Sequence, residues 1–471
     1  MSITYPLWDY YVILKNVKLF TLKNLLYNEK TVIGRLQRYF SHYFEIFSAP
    51  TAETLFLLVL SMLAMESADS IRSLYRHFLS SITKKSLNAF YYACSYAKAD
   101  YSKFAHITAL MALKLIPGSL ESQPVFLCID DTMVSKFGTR FENVSKMFDH
   151  AAHNGSNYLN GHCFVSLMLC VPVWNGNKVN YLSVPLEYRM WQKKESKLVL
   201  AASMTANIMP ALSGKRNVIL LCDSWYAKKD LLHLADDYAA LDIICNARSD
   251  SAIYDFPPER TGKRGRPAKH GKKLSIYEDF NLSSEKVGDY FTGFRRVLTN
   301  IFGDRTVLAY VTAAAREGNS RRLFFSTVSP EQLQIFCAWQ QKAPLNQTGS
   351  EWMQYIPLFL YSFRWPIEVS YYEQKTFWSF CSYMVRSQKG IEMLVNLINL
   401  AYCAMKLFPY QDKDFAKYRG ESVQEFRFIL SRQIREQVFF ATFVQNIETT
   451  IKSNAIIEAL ISLLRRQGLI S

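Results

Sequence analysis

A chain of 471 residues is too long for one ordinary hydrophobic core and implies roughly two to four domains. Hydrophobic residues make up 49% and charged residues 20%, which excludes a disordered or fibrous chain. Lys and Arg outnumber Asp and Glu by 55 to 40, and the net charge of +15 favours a polyanionic partner, nucleic acid before an anionic membrane surface.

The apolar run Leu55–Met65 falls well short of the ~20 residues that cross a bilayer, so no membrane partner is expected. The N-terminal stretch has neither a basic leader nor a small-residue cleavage site and does not read as a signal peptide. The nine cysteines are scattered and never form C-x-x-C. Cys128, Cys170 and Cys222 lie inside apolar runs, where a thiol packs as a small hydrophobe. A reduced, cytoplasmic setting and no cysteine zinc site follow.

Residues 1–120 read as a helical, mildly basic region. Pro50-Thr51-Ala52-Glu53 opens one helix, Ser67 caps a second through about Leu79, and a third runs from about Lys84 to Lys98. Between Arg72 and Lys98 there are five Lys or Arg and no Asp or Glu. This suits a helix-turn-helix DNA-end-binding domain, or equally a plain bundle with a solvated basic face.

Residues 121–250 change character. Val125–Ile129 is a buried strand with Asp130-Asp131 at its tip, and Cys163–Val173 and Val179–Leu186 are two more, joined by a hairpin at Trp174-Asn-Gly-Asn. A helix over about Lys194–Met209, a strand Asn217–Cys222 ending at Asp223, a helix and a strand Leu241–Cys245 complete an α/β core with a mixed five-stranded sheet. Residues 251–350 form a β-rich basic insertion, with strands near Tyr290–Leu298, Thr306–Thr312 and Arg322–Thr327. Its loop Arg260–Lys273 holds seven Lys or Arg around Arg264-Gly-Arg266-Pro, a minor-groove arm or a solvated basic loop. Residues 351–408 return to the core, and 409–471 form a C-terminal helical region.

Cutting a phosphodiester with metal ions needs converging carboxylates, because hard oxygen ligands hold Mg²⁺ and two such ions stabilise the attacking and leaving oxygens. Asp130 and Asp223 each close an apolar strand, although a strand-end or helix-capping Asp is a common alternative. The segment Tyr361-Ser-Phe-Arg364-Trp-Pro-Ile-Glu368-Val-Ser-Tyr-Tyr-Glu-Gln-Lys375 is more specific. At about 100° per residue, Tyr361, Arg364, Glu368 and Lys375 fall within an arc of roughly 60°. Pro366 belongs in a first helical turn, so Tyr361 and Arg364 can precede the helix proper.

The pattern Y-(2)-R-(3)-E-(6)-K matches the signature of a group of bacterial insertion-sequence transposases of the DDE type. Asp130-Asp131-Thr132 resembles that group's D-x-T motif, and Asp223-Ser224-Trp225-Tyr226 resembles its second Asp motif. The resemblance spans about residues 121–408. It implies a ribonuclease-H-like fold in which Asp130, Asp223 and Glu368 are catalytic and hold two Mg²⁺ or Mn²⁺ ions. Tyr361, Arg364 and Lys375 would then meet DNA phosphates, with Arg264 and Arg266 as further DNA contacts. By its own position, His162 begins a strand beside the one carrying Asp130, where it would orient a ligand, contact DNA or serve as a hydrogen-bonded structural His. The resemblance also implies double-stranded DNA as partner, in element ends and target, and a homodimer in the DNA complex. The setting would be a bacterial cytoplasm at the nucleoid, and cut-and-paste transposition would pass through a hairpin end. A non-catalytic DNA-binding descendant is the alternative, and a ribonuclease-H-like nuclease that cuts without strand transfer is a third reading with the same metal site. Trp339 and Trp352 are insertion aromatics that would hold a flipped base or pack in the core.

Overall fold

A computed structural model of the chain describes residues 28–66, 70–148, 157–212, 217–259, 268–317, 320–328 and 355–451, with 462 and 466. Helices α1 (Val32–Phe44), α2 (Ala49–Ala64), α3, α4 (Leu87–Tyr96) and α5 (Tyr101–Leu113) come first. Helix α3 runs Ile71–Leu74, passes through a π turn over Tyr75–Leu79 and closes with Ser80–Ile82. Next come β1 (Val125–Ser135), β2 (Ser145–Phe148), β3 (Tyr158–Asn175), β4 (Lys178–Met190), α6 (Lys197–Leu212) and β5 (Val218–Cys222). Short helices α7 (Lys229–Leu232) and α8 (Leu234–Asp237) lead to β6 (Leu241–Ala247). The pair β7 (Ile253–Tyr254) and β8 (Lys273–Leu274) precedes β9 (Phe291–Val297), β10 (Val307–Ala313) and β11 (Arg321–Ser326). The chain finishes with α9 (Ile356–Tyr361), α10 (Pro366–Phe377), α11 (Gln388–Gln411) and α12 (Val423–Ile451).

Two compact units divide the chain: Met1–Ala99 with Thr376–Met405 and Glu421–Ser471, and Asp100–Lys375 with Lys406–Gly420. In the second unit, β1 pairs antiparallel with β3 and β3 with β4, while β1, β5 and β6 run parallel. Every residue of β5 is buried, as expected for a parallel strand covered on both faces. The β3–β4 hairpin turns at Gly176, whose positive φ of 57° suits glycine. Helix α5 packs on β4 and α6, and α6 packs on β3. The mixed sheet, spatial order β4-β3-β1-β5-β6, and the flanking helices fit a ribonuclease-H-like fold.

The sheet is larger than the five strands expected. Among the described residues it has nine, because β2 pairs antiparallel with β3, and β11 pairs antiparallel with β6 and extends the same sheet through β10 and β9. The open edge of β6 offers unpaired backbone groups, and the inserted strands satisfy them. Strand β1 is also longer than its apolar run. Its pairing with β5 ends at Ile129–Cys222, but its pairing with β3 continues to Ser135 opposite Gly161. Asp130 therefore sits within a strand, at the point where one neighbour stops.

In the first unit, α2 is buried from Thr54 to Ala64, and α12 closes its C-terminal end. Arg427 donates to Met62 O (2.9 Å) and Met65 O (2.6 Å), and Ser431 to Ala64 O (2.7 Å). These side chains satisfy carbonyls that a helix end leaves without partners. Arg427 also donates to Phe377 O and lies over the Trp378 ring, 4.0 Å from its centre. Helix α11 is long and apolar enough to cross a membrane by length and composition, but 94% of its apolar window is buried inside the protein. It is a core helix that the apolar run near Leu55 did not anticipate.

Candidate active site

Parallel pairing sets the first two carboxylates. Ile129 and Cys222 are the last partners of β1 and β5, so Asp130, within β1, and Asp223, just past the end of β5, follow on neighbouring strands, about 4.8 Å apart in strand spacing. The Asp223 carboxylate accepts from the backbone N–H groups of Trp225 (3.0 Å) and Tyr226 (3.1 Å), which fixes it in the turn after β5.

The third carboxylate arrives from the far end of the unit. The one-turn segment Ser362–Arg364 packs on β1 and β5. Phe363 anchors it: its ring stacks on Phe126 (4.8 Å, 16°), and its carbonyl accepts from Cys128 Sγ at 3.3 Å. Pro366 then opens α10, with Glu368 in its first turn. Tyr361 and Arg364 precede that helix. Arg364 Nη1 donates to Asp130 Oδ2 at 2.7 Å and to Glu368 Oε1 at 3.2 Å. One guanidinium thus joins two of the predicted ligands.

The electrostatics converge on Asp130. Burial raises the Asp130 pKa well above the usual carboxylate range, the charges of Asp223 and Glu368 push it further, and Arg364 opposes them. Asp223 is raised too, chiefly by burial and against its two backbone hydrogen bonds. Burial disfavours the Arg364 guanidinium, but Tyr361, Asp130 and Glu368 outweigh it and raise its pKa. Asp130, crowded by the charges of Asp223 and Glu368, belongs to a set of carboxylates that a cation would relieve. Their oxygens are the hard donors that Mg²⁺ and Mn²⁺ take. Among the described residues no three His, Cys, Asp or Glu side chains are already gathered tightly enough to hold an ion. Arg364 lies between Asp130 and Glu368 and supplies the positive charge there. The donor chemistry fits a divalent ion, on the condition that this guanidinium swings aside.

Asp131 faces the other way, as alternation along a strand requires. It accepts from Lys197 Nζ (2.9 Å) and Cys163 Sγ (3.0 Å) at one oxygen and from the Tyr226 hydroxyl (2.8 Å) at the other. Burial works against the Lys197 ammonium, and the Asp131 charge outweighs it, raising its pKa. Tyr226 therefore donates its N–H to Asp223 and its O–H to Asp131, bracing the two strand ends together. Sequence reasoning missed this brace. The Asp130-Asp131 doublet was its one visible sign, whereas Lys197 comes from α6 and has no spacing to betray it.

The remaining predicted residues divide. The Tyr361 ring lies under Arg364 (5.9 Å) and edge-on to Phe324 (5.2 Å). It also walls a cavity of about 320 Å³ with Asn246, Tyr290, Arg322, Phe324 and Tyr355. Lys375 Nζ donates to Met133 O on β1 at 3.0 Å. His162, opposite Val134, donates from Nε2 to Glu142 O at 2.8 Å, and burial lowers its pKa. It stands four residues beyond Asp130 along β1, roughly 13 Å, and is not brought to the carboxylates. Its neighbour Gly161 permits the close approach of β3 to β1, since a Cβ there would lie 1.9 Å from Val134 O. Arg264 and Arg266, like Trp339 and Trp352, lie outside the described residues.

No curated protein matches the chain. A family model, DDE superfamily endonuclease, matches residues 42–287, more than half of the chain. The match includes Asp130 and Asp223 and ends before Glu368, whose place beside Asp130 rests on the Arg364 bridge. Over that span and on that geometry, the chain belongs to the DDE superfamily endonucleases, whose substrate is DNA.

Proposed function

We propose that this endonuclease is an insertion-sequence transposase of the Y-R-E-K group, which cuts the ends of its element and joins the freed 3′-hydroxyls to target DNA. The observation that carries the reading is the contact of Arg364 with both Asp130 and Glu368. It ties the signature segment to Asp130 across 234 positions of the chain.

Asp130, Asp223 and Glu368 would hold the divalent ions. When bound, two such ions polarise the scissile phosphate and lower the pKa of the attacking hydroxyl. Arg364, released from the carboxylates, would turn its planar donor fork to a phosphate. Tyr361, whose ring lies under Arg364, and Lys375, released from Met133 O, would fix the strand by its backbone. The Tyr226–Asp131–Lys197 brace keeps both strand ends in register through cleavage and joining. For the hairpin route, the apolar cavity behind Tyr361 has the chemistry to take an unstacked base. The transposase would act as a homodimer on paired ends.

A cleavage assay tests the reading. Purified protein and Mg²⁺ or Mn²⁺ meet a labelled duplex carrying the element ends, beside the Asp130→Asn and Glu368→Gln variants. We expect metal-dependent nicks, hairpin ends and joined products, each reduced at least about 10³-fold in both variants with DNA binding kept. Specific binding without cleavage would favour the non-catalytic descendant. Cleavage without joined product would leave a nuclease alone.

A further inference from the structure

Helix α10 buries two polar residues, Tyr371 and Gln374, about one and two turns after the half-exposed Glu368. Tyr371 Oη shares a hydrogen bond with Ser166 Oγ at 2.5 Å, and Gln374 Nε2 donates to the Tyr188 hydroxyl at 2.9 Å. Ser166 and Tyr188 are buried as well. Ser166 on β3 stands opposite Asp130 on β1, and Tyr188 on β4 stands opposite Ser166. Asp130, Ser166 and Tyr188 therefore form one row across three strands, with their side chains on one face of the sheet. Helix α10 is bonded to the row in which the first carboxylate stands.

A further bond sets the direction of the helix. Lys375 Nζ reaches Met133 O, three residues beyond Asp130 on β1. Glu368 to Lys375 advances about 10 Å along a helix, and Asp130 to Met133 about 10 Å along a strand. Helix α10 thus runs along β1, with Glu368 level with Asp130 at the Arg364 bridge. Stability alone favours a leucine at position 374, because Gln374 Oε1 is buried with no hydrogen-bond partner among the described residues. Burial pushes the Tyr371 phenol well above its ordinary range, and the charge of Asp130 adds to it. The hydroxyl therefore stays neutral and adds no charge beside the carboxylates.

We propose that Ser166, Tyr188, Tyr371 and Gln374 are positioning residues that hold Glu368 level with Asp130 when Arg364 and Lys375 leave for DNA. Arg364 and Lys375 are the half-exposed tethers of α10, and both are spent on phosphates in the reaction proposed above. The two buried bonds are out of reach of water and of DNA, so they remain. Groups behind metal ligands act in this way, by fixing where the ligand oxygen stands before the ion arrives. The inference rests on the metal-site reading of Asp130, Asp223 and Glu368.

The test uses the full chain and two readings: backbone cuts directed by bound Fe²⁺, and Mg²⁺-dependent nicking of a duplex carrying the element end. Tyr371→Phe with Gln374→Leu removes both bonds and nearly keeps the volumes, so the melting temperature and DNA affinity should hold. Iron cuts near Asp130 and Asp223 should persist while those near Glu368 are lost. The Mg²⁺ concentration for half-maximal nicking should rise about tenfold to a hundredfold. Ser166→Ala breaks the first bond from the sheet side, and combining it with Tyr371→Phe should cost nothing beyond either change alone. If the double variant melts below the wild type, Ser166→Ala decides by the same two readings. Wild-type iron cuts and a wild-type Mg²⁺ requirement overturn the proposal. If the wild type gives grouped iron cuts and nicks but no joined product, the transposase reading falls and this proposal stands. If its iron cuts are not grouped at the three carboxylates, the metal site and the proposal fall together.

Discussion

The guanidinium groups of Arg364 and Arg427 are both withdrawn from water, and their partners differ in kind. Arg364 leaves 14% of its side chain exposed and bonds to the carboxylates of Asp130 and Glu368. Arg427 is 2% exposed and bonds to the carbonyls of Met62, Met65 and Phe377, with Trp378 beneath it. The effects on the cations run in opposite directions. Acidic neighbours raise Arg364, whereas burial lowers Arg427 to about 10. Carboxylates can exchange one cation for another, because their charge stays behind when the partner leaves. Backbone carbonyls at a helix end have no such option, and the arginine that satisfies them is committed to the fold. A buried arginine among acids marks a place where cations trade; one among carbonyls marks a joint.

That contrast can be broken at either end. The largest expected effect on stability is at the joint. Arg427→Met leaves three carbonyls without donors and should lower the unfolding free energy by about 3–5 kcal/mol. Arg427→Lys, with a compact ammonium in place of a fork, should recover only part of it. Denaturant unfolding followed by circular dichroism measures both, and a loss below about 1 kcal/mol would show that water replaces the guanidinium readily. A smaller effect is expected at Arg364. Without metal, Arg364→Gln removes the charge that offsets three carboxylates and should lower stability by about 2 kcal/mol. Added Mg²⁺ should then raise the melting temperature of Arg364→Gln by more than it raises the wild type's. Equal gains would mean that guanidinium and metal do not compete for the same carboxylates.

Much of the site was legible because it is written in local spacing. Tyr361, Arg364, Glu368 and Lys375 lie on one short segment, and Asp130 and Asp223 each follow an unbroken apolar strand. The three inserted strands were legible as strand-like segments as well. Their attachment to β6 was not, because edge pairing is a choice among open edges that no single segment encodes. The strand that carries Asp130 ran longer than its apolar run, since its second half is held by β3 alone. Lys197 and Tyr226 acquire their roles only when α6 and the turn after β5 close on Asp131. Arg427 was invisible for the same reason: its acceptors are backbone atoms, which leave no trace in side-chain patterns. His162, by contrast, looked like a site residue from its position at a strand start, yet its ring is committed to Glu142 O.

The central claim is that carboxylates from three separate segments make one metal site. Iron-directed cleavage tests it most directly. Fe²⁺ replaces Mg²⁺, ascorbate and peroxide generate hydroxyl radicals at the bound ion, and the broken backbone is mapped by mass spectrometry. The account predicts cuts grouped around Asp130, Asp223 and Glu368, suppressed by excess Mg²⁺ and lost together in Asp130→Asn. Cuts spread along the chain, or a group that survives Asp130→Asn, would contradict it.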